Sequence, residues 1–150
     1  MNYINELRKF IGNRPLLLIG SAVLVLDNHN RLLMMRRSDS GNWGIPGGAM
    51  ELGETTEETA RRELLEETGL EAGELTLFGI FSGKELYYRY PSGEEVYNVS
   101  IVYFAHDVRE NVELLDGEHY DFQYFDFAQL PENVSPPIKP ILRKLMETHL

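Results

Sequence analysis

Apolar residues recur at helical spacing near the start of the chain. Tyr3, Ile4, Leu7, Phe10 and Ile11 share one side of a helix over residues 3–11, and Gly12 to Pro15 ends it. Leu16 to Leu26 is aliphatic nearly throughout and reads as a buried strand. Asp27-Asn28-His29-Asn30 has the composition of a turn, and Arg31 to Arg37 follows as a second strand, so the two are expected to form a hairpin. Ser38 to Asn42 is a polar loop, and Trp43 to Ile45 is a brief extended segment ahead of Pro46-Gly47-Gly48. The clearest helix runs from Thr55 to Thr68: Thr55 with Glu58 three residues on is a capping box, and Gly69 stands where a left-handed residue closes a helix. Strand-like runs follow at Leu75 to Phe81, Leu86 to Tyr90, Val96 to His106 and Phe122 to Phe127, with a turn at Pro91-Ser92-Gly93. Lys139 to His149 reads as a closing helix after Ser135-Pro136-Pro137. The strands show no regular βαβ alternation, which favours α+β over a doubly wound parallel sheet.

Composition narrows the partners. At 150 residues, 43% hydrophobic and 25% charged, the chain has the profile of one globular domain. Its 24 acidic against 14 basic residues give a net charge of −10, unsuited to binding a nucleic acid polymer through counterion release. Cysteine is absent, which removes disulfides, thiolate metal sites and cysteine nucleophiles together and fits a cytoplasmic protein. Met1 to Phe10 carries Glu6, Arg8 and Lys9 and lacks the apolar run of a signal peptide. The longest apolar stretch, Pro15 to Leu26, falls short of the roughly 20 residues that span a bilayer, so no membrane partner is expected.

The chemistry concentrates on the Thr55–Thr68 helix. Glu63, Glu66 and Glu67 are spaced i, i+3, i+4 and fall within an arc of about 100°. Carboxylates that close repel, and basic neighbours or bound divalent cations relieve the cost. Arg62 stands beside this face and Arg61 points away from it. Hard oxygen donors clustered this way suit Mg²⁺, with Mn²⁺ as a substitute. Ala60 and Leu64 flank the acids, so the carboxylates are expected at the edge of buried surface.

Around these acids lies a longer pattern: Gly48, five residues, Glu54, seven residues, Arg62-Glu63-Leu64, one residue, Glu66-Glu67, one residue, Gly69-Leu70. It resembles the Nudix box at every defined position, a coincidence with chance probability on the order of 10⁻⁶ from composition. The resemblance to the Nudix hydrolase family covers roughly residues 16–148. It implies an α/β/α sandwich with a mixed β-sheet and the box as a loop–helix–loop. The chain then divides into an N-terminal amphipathic helical extension, residues 1–15, and a Nudix hydrolase domain, residues 16–150. The extension's apolar side would cover the sheet or pair two subunits as a homodimer. The implied activity is Mg²⁺-dependent hydrolysis of the pyrophosphate linkage in a nucleoside diphosphate joined to another moiety. The implied partner is a small nucleotide such as ADP-ribose, a dinucleoside polyphosphate, a sugar nucleotide or an NTP. A silent nucleotide-binding module and an RNA 5′-end pyrophosphohydrolase are the alternatives.

In-line attack of water on phosphorus spreads negative charge over phosphoryl oxygens, so catalysis is mainly positioning and charge stabilisation. Glu63 and Glu67, one helical turn apart, are the first choices as metal ligands. Glu66 is a third ligand or the general base. The resemblance implies a backbone carbonyl ligand from Gly47, with Gly48 opening the box against the substrate. Arg62 is expected to anchor the acidic face by ion pairs, with Glu54 behind the first ligands, and Leu64 to be core. Family members differ in the position of the base; Glu118, in the run Leu115 to Asp121, is the downstream candidate, with Asp116 and Asp121 as competitors and His119 adjoining. Arg36 or Arg37 would reach substrate phosphates, strand alternation allowing one of the two to face the site. Trp43 is expected in the core, His29 and His149 in solvent, and most tyrosines in packing. Leu86 stands where members acting on ADP-ribose often carry Pro, and Tyr88 where members acting on dinucleoside polyphosphates often carry Tyr. The base-contacting Asn of the mutator-type branch has no counterpart in Pro136-Pro137-Ile138-Lys139-Pro140.

Overall fold

A computed structural model of the chain describes residues 2–110 and 121–149. In chain order the elements are α1 (Tyr3–Ile11), β1 (Leu16–Leu24), β2 (Leu32–Arg36), β3 (Trp43–Gly44), β4 (Gly47–Ala49), α2 (Thr56–Thr68), β5 (Leu70–Glu71), β6 (Glu74–Phe81), β7 (Tyr87–Arg89), β8 (Glu95–His106), β9 (Arg109–Glu110), β10 (Phe122–Phe125) and α3 (Lys139–His149). The central sheet has the order β4-β1-β8-β6, with β7 also paired to β8. It is mixed: β1 runs parallel to β8 over nine residue pairs from Leu16↔Val96 to Leu24↔Phe104, and the other pairings are antiparallel. A second sheet has the order β10-β2-β3, and β5 pairs with β9.

Successive residues of the buried strands alternate between two cores. Ala22, Leu24, Leu32, Met34 and Val102 pack with Ile141, Leu142 and Leu145 of α3. Val23, Val25, Leu33 and Tyr103 pack with Ala60 and Leu64 of α2. A strand whose two faces are both covered must be apolar at every position, which explains the unbroken aliphatic run Ala22 to Leu26. The α/β/α sandwich and α+β class are therefore as the sequence led us to expect.

The hairpin expected between the first two strands exists only at its tip. Asp27 closes the turn by accepting from the His29 and Arg31 backbone N–H groups at 3.0 and 2.8 Å, and Leu26 bridges Leu32. Beyond that point the strands part. β1 takes β4 and β8 as partners, while β2 takes β10 and β3. Local turn chemistry specified the reversal, but long-range pairing specified the sheets.

Helix α1 starts on Asn2, whose side chain accepts from the Asn5 N–H at 2.9 Å. Arg8 tethers it by donating to the carbonyls of Gly12, Arg14 and Glu95 at 2.9, 2.6 and 2.7 Å. The helix buries none of its residues, and Phe10 is 82% exposed. It therefore does not cover the sheet, because its arginine tether holds it beside the starts of β1 and β8. Among the described residues no helix is long and apolar enough to cross a membrane.

Helix α2, which carries the acids, is fixed at both ends. The Thr55 hydroxyl accepts from the Glu58 N–H at 3.1 Å, and the Glu58 carboxylate accepts from the Thr55 N–H at 3.0 Å. Gly69 ends the helix at φ 76°, a left-handed conformation that favours glycine. The Ser21 hydroxyl donates to the Thr56 carbonyl at 2.7 Å, and the hydroxyls of Thr56 and Tyr103 meet at 2.6 Å, so β1 and β8 hold the helix start. Thr55→Ala removes one half of the reciprocal cap. It is expected to lower stability by about 1 kcal/mol, read as a lower urea midpoint at unchanged slope.

Candidate active site

Arg62 organises the acidic face. Its Nε and Nη2 donate to the two oxygens of Glu54 at 2.7 and 2.9 Å, a bidentate pair. Its Nη1 donates to Glu63 at 2.8 Å and to Glu66 at 3.4 Å, and Nη2 also reaches the Ala49 carbonyl at 3.1 Å. One guanidinium thus meets three carboxylates and the end of β4. Arg61 instead donates to the Ala72 and Gly73 carbonyls on the far side.

Glu54 collects more than Arg62. It also accepts from the Glu51 N–H at 2.8 Å and the Thr59 hydroxyl at 3.0 Å. The Arg62 hydrogen bonds, opposed by burial and assisted by these donors, pull the Glu54 carboxyl down to about 2. Glu54 holds the arginine, and the arginine in turn holds Glu63.

The two remaining acids differ in kind. Glu66 is more than half exposed. Glu67 is partly buried, and that burial, opposed by the Gly47 N–H and with Glu63 adding repulsion, pushes its carboxyl up to about 8. That N–H donates to Glu67 Oε1 at 2.8 Å. Burial also raises Glu63 despite Arg62. A Cβ on Gly48 would stand 2.5 Å from the Glu63 carboxylate, so glycine there lets the acid lie against the backbone of β4. Among the described residues, no three His, Asp or Glu side chains are disposed as an ion cage by themselves. The donor set nevertheless fits a hard divalent ion: two partly buried carboxylates one turn apart, both raised from the ordinary glutamate value chiefly by burial.

A cavity of about 230 Å³ opens beside Glu67. Glu67, Arg36 and Arg37 are the charged residues along its wall, while Arg62, Glu54, Glu63 and Glu66 stand outside it. Both arginines line it, contrary to the expectation from strand alternation. The reason is that β2 ends at Arg36, so Arg37 is released from the period of two. Arg37 is braced by Asp39 at 3.0 and 2.8 Å and lies 5.6 Å from the centre of the Tyr90 ring. Tyr88 lines the cavity and meets Tyr90 edge to face at 4.9 Å. Gly47 and Gly48 form part of the same wall, as does Leu86.

Trp43 is in the core, edge to face with Phe125 at 5.0 Å. His29 is exposed, and His149 is exposed against Phe104. Glu118, Asp116 and His119 lie outside the described residues, and Asp121 is exposed, its carbonyl accepting from the Arg36 N–H at 3.0 Å. Tyr90, Asn98 and Ser135 also line the cavity and were not singled out by sequence. Tyr90 was hidden among tyrosines that pack, and Ser135 reads as a helix break.

Because the Glu54 carboxyl is lowered on folding, its pairing contributes fully above the ordinary carboxylate value and is lost as pH falls from there toward about 2. Glu54→Gln is therefore expected to cost about 1–3 kcal/mol at pH 7, with the gap to wild type closing below pH 4 in acid titrations of stability.

With this geometry in place, comparison with known proteins locates the chain. The NUDIX domain model matches residues 17–146. An ADP-ribose pyrophosphatase of Methanocaldococcus jannaschii is 31% identical over 111 residues, 72% of this chain and 62% of that protein. An NAD-capped RNA hydrolase, NudC, of Haemophilus influenzae is 34% identical over 132 residues, 85% of this chain and 43% of that protein. The chain thus spans less than two thirds of the length of these curated relatives. In structure it is similar to a MutT NUDIX hydrolase from Burkholderia pseudomallei, with a TM-score of 0.68, 22% identity and coverage of 88% of this chain and 98% of that one. A family match spanning nearly the whole chain, a complete box on α2 and the same sandwich architecture together establish that the chain belongs to the Nudix family.

Proposed function

We propose that the protein is a divalent-metal-dependent pyrophosphohydrolase. It would cleave the pyrophosphate linkage of a nucleoside diphosphate joined to another group, by attack of water on phosphorus. The observation that carries this reading is the partly buried Glu67 carboxylate, raised to about 8, at the wall of a cavity that also presents Arg36 and Arg37. An acid so placed is an isolated cost unless positive charge joins it, and the two arginines supply an anion site across the same space.

Glu63 and Glu67, with the Gly47 carbonyl and Glu66, would hold Mg²⁺ or Mn²⁺. Such an ion, when bound, supplies charge for phosphoryl oxygens and lowers the pKa of water. Arg62 positions Glu63 and Glu66 and keeps the helix face from self-repulsion. Glu54 locks the arginine. Arg37, pre-oriented by Asp39 and Tyr90, clamps a phosphate without first losing side-chain freedom. Tyr88 contributes to the nucleotide side of the cavity. Glu66 or Glu118 takes the proton of the attacking water. We assign residues 16–150 to the catalytic domain and residues 1–15 to an accessory extension.

The relatives' names include an ADP-ribose pyrophosphatase and an NAD-capped RNA hydrolase. Cleavage at a capped RNA end is the second reading. The net charge of −10 favours small nucleotides, since it opposes approach of a polyanion.

A panel of ADP-ribose, diadenosine polyphosphates, sugar nucleotides, NTPs and capped RNA, with Mg²⁺ or Mn²⁺ and products identified by mass, tests the reading. At least one small nucleotide is expected to release a mononucleotide, and no release from any of them would overturn it. Glu67→Gln is expected to lower kcat about 10³-fold or more while the thermal midpoint holds; near-normal turnover would remove Glu67 from its role. Arg37→Ala is expected to raise KM about tenfold or more with a smaller change in kcat, measured by steady-state kinetics.

A further inference from the structure

Among the described residues before Leu16, none lines the cavity, yet this extension holds a part of the chain that builds one side of it. β8 starts at Glu95, one residue ahead of its pairing with β1, which begins at Leu16↔Val96. Glu95 therefore has no partner in β1, and the extension takes that place. The Glu95 N–H donates to the Asn13 carbonyl at 3.2 Å, and the Glu95 carbonyl accepts from Arg8 Nη2 at 2.7 Å. A Cβ on Gly93 would stand 3.2 Å from Asn13 Nδ2, so the extension also lies against the turn between β7 and β8.

Arg8 makes the attachment. Its Nη1 donates to the Gly12 and Arg14 carbonyls at 2.9 and 2.6 Å, so one guanidinium joins the end of α1, the segment leading into β1 and the start of β8. A planar fork of donors can serve several carbonyls at once, which a lysine ammonium does not reproduce. The opposite end of α1 is held loosely: the Tyr3 N–H meets Glu51 Oε2 only at 3.5 Å, and the helix buries none of its residues.

From Glu95 the hold passes to the cavity in two short steps. The Tyr90 N–H donates to the Glu94 carbonyl at 2.9 Å, and the Gly93 N–H donates to the Tyr90 carbonyl at 2.8 Å, which closes the turn. Tyr90 lines the cavity, and its ring centre lies 5.6 Å from the Arg37 guanidinium and 4.9 Å from the Tyr88 ring. Among the described strands β7 pairs with β8 alone, so no further strand steadies the hairpin from outside. Residues 136–138 contact β7 from another side, so loss of the Arg8 attachment loosens the hairpin without freeing it.

We infer that Arg8 is a positioning residue for the substrate site: by fixing Glu95 it holds the β7–β8 hairpin, and through the hairpin the Tyr90 ring against which Arg37 is oriented. The inference rests on the proposed function in taking the cavity as the substrate's. Arg8 itself touches no substrate; it sets how firmly the wall beside Arg37 is held.

Hydrogen exchange on the full chain tests the first link. In Arg8→Ala the Tyr90, Gly93 and Glu95 amides are expected to exchange about tenfold faster or more, while those of Ala60 to Leu65 in α2 keep their wild-type rates. Calorimetric binding of the α,β-methylene analogue of ADP with Mg²⁺ tests the second. Arg8→Ala is expected to weaken binding about fivefold and Arg8→Lys by less. In an Arg37→Ala background, Arg8→Ala is expected to add little, because both changes act at one guanidinium. Unchanged exchange in the hairpin would overturn the inference. So would exchange that rises equally in α2, unchanged affinity in Arg8→Ala, or losses that add in full in the double variant. Exchange needs no nucleotide, so a chain that binds no analogue fails the proposed function, while a hairpin that stays protected in Arg8→Ala fails the inference.

Discussion

One arginine makes the acidic helix tolerable. Six carboxylates lie on α2 or just before it between Glu54 and Glu67, and like charges at this spacing oppose helix formation. Arg62 cancels the repulsion where it is worst, by reaching Glu54, Glu63 and Glu66 at once. It does not reach Glu67 in the hydrogen-bond network, and the consequence is a division of labour. Glu54 is held strongly ionised and serves as a fixed counter-charge, while Glu67 is left partly buried with no arginine hydrogen-bonded to it. Structural pairing and unmet electrostatic demand sit one helical turn apart on the same surface.

That arrangement depends on the sandwich. Ala60 and Leu64 are fully buried against the sheet, which fixes the rotation of α2 and so the direction in which the acids face. β4 adds to β1 beside the helix, and Gly48 in that strand lets the Glu63 carboxylate approach within the space a Cβ would fill. The Gly47 N–H then meets Glu67. On the other face, α3 and the turn before it close the cavity with Pro137, Ile138 and Ile141. Helix α2 brings the acid, the end of β2 brings the arginines, and the C-terminal segment brings the apolar wall.

Much of this was legible in the sequence where short-range chemistry governs. The Thr55–Glu58 cap and the Gly69 stop define α2 within a few residues of chain, and i, i+3, i+4 spacing puts Glu63, Glu66 and Glu67 together on any helix. The aliphatic run through Ala22 and Leu24 announced a deeply buried strand. Where distant segments decide, the sequence was silent. Nothing local tells β1 to run parallel to β8, so the expected hairpin shrank to its turn. Arg36 and Arg37 both reach the cavity because the strand ends between them, a boundary set by its partner β10 and β3. Ser135 has no signature as a cavity residue, since its place is fixed by a bridge between Trp43 and Val134 across ninety residues of chain.

The central claim is that Glu63 and Glu67, two partly buried carboxylates one helical turn apart beside the cavity, form a divalent-ion site. Its most direct test is a titration of metal-free protein with Mn²⁺, followed by electron paramagnetic resonance in the presence of a non-hydrolysable nucleoside diphosphate analogue. The account predicts that wild type sequesters the ion at millimolar concentration or below, and that Glu63→Gln and Glu67→Gln each weaken binding about tenfold or more. Free Mn²⁺ at every point of the wild-type titration, or the same uptake by both variants, would contradict it.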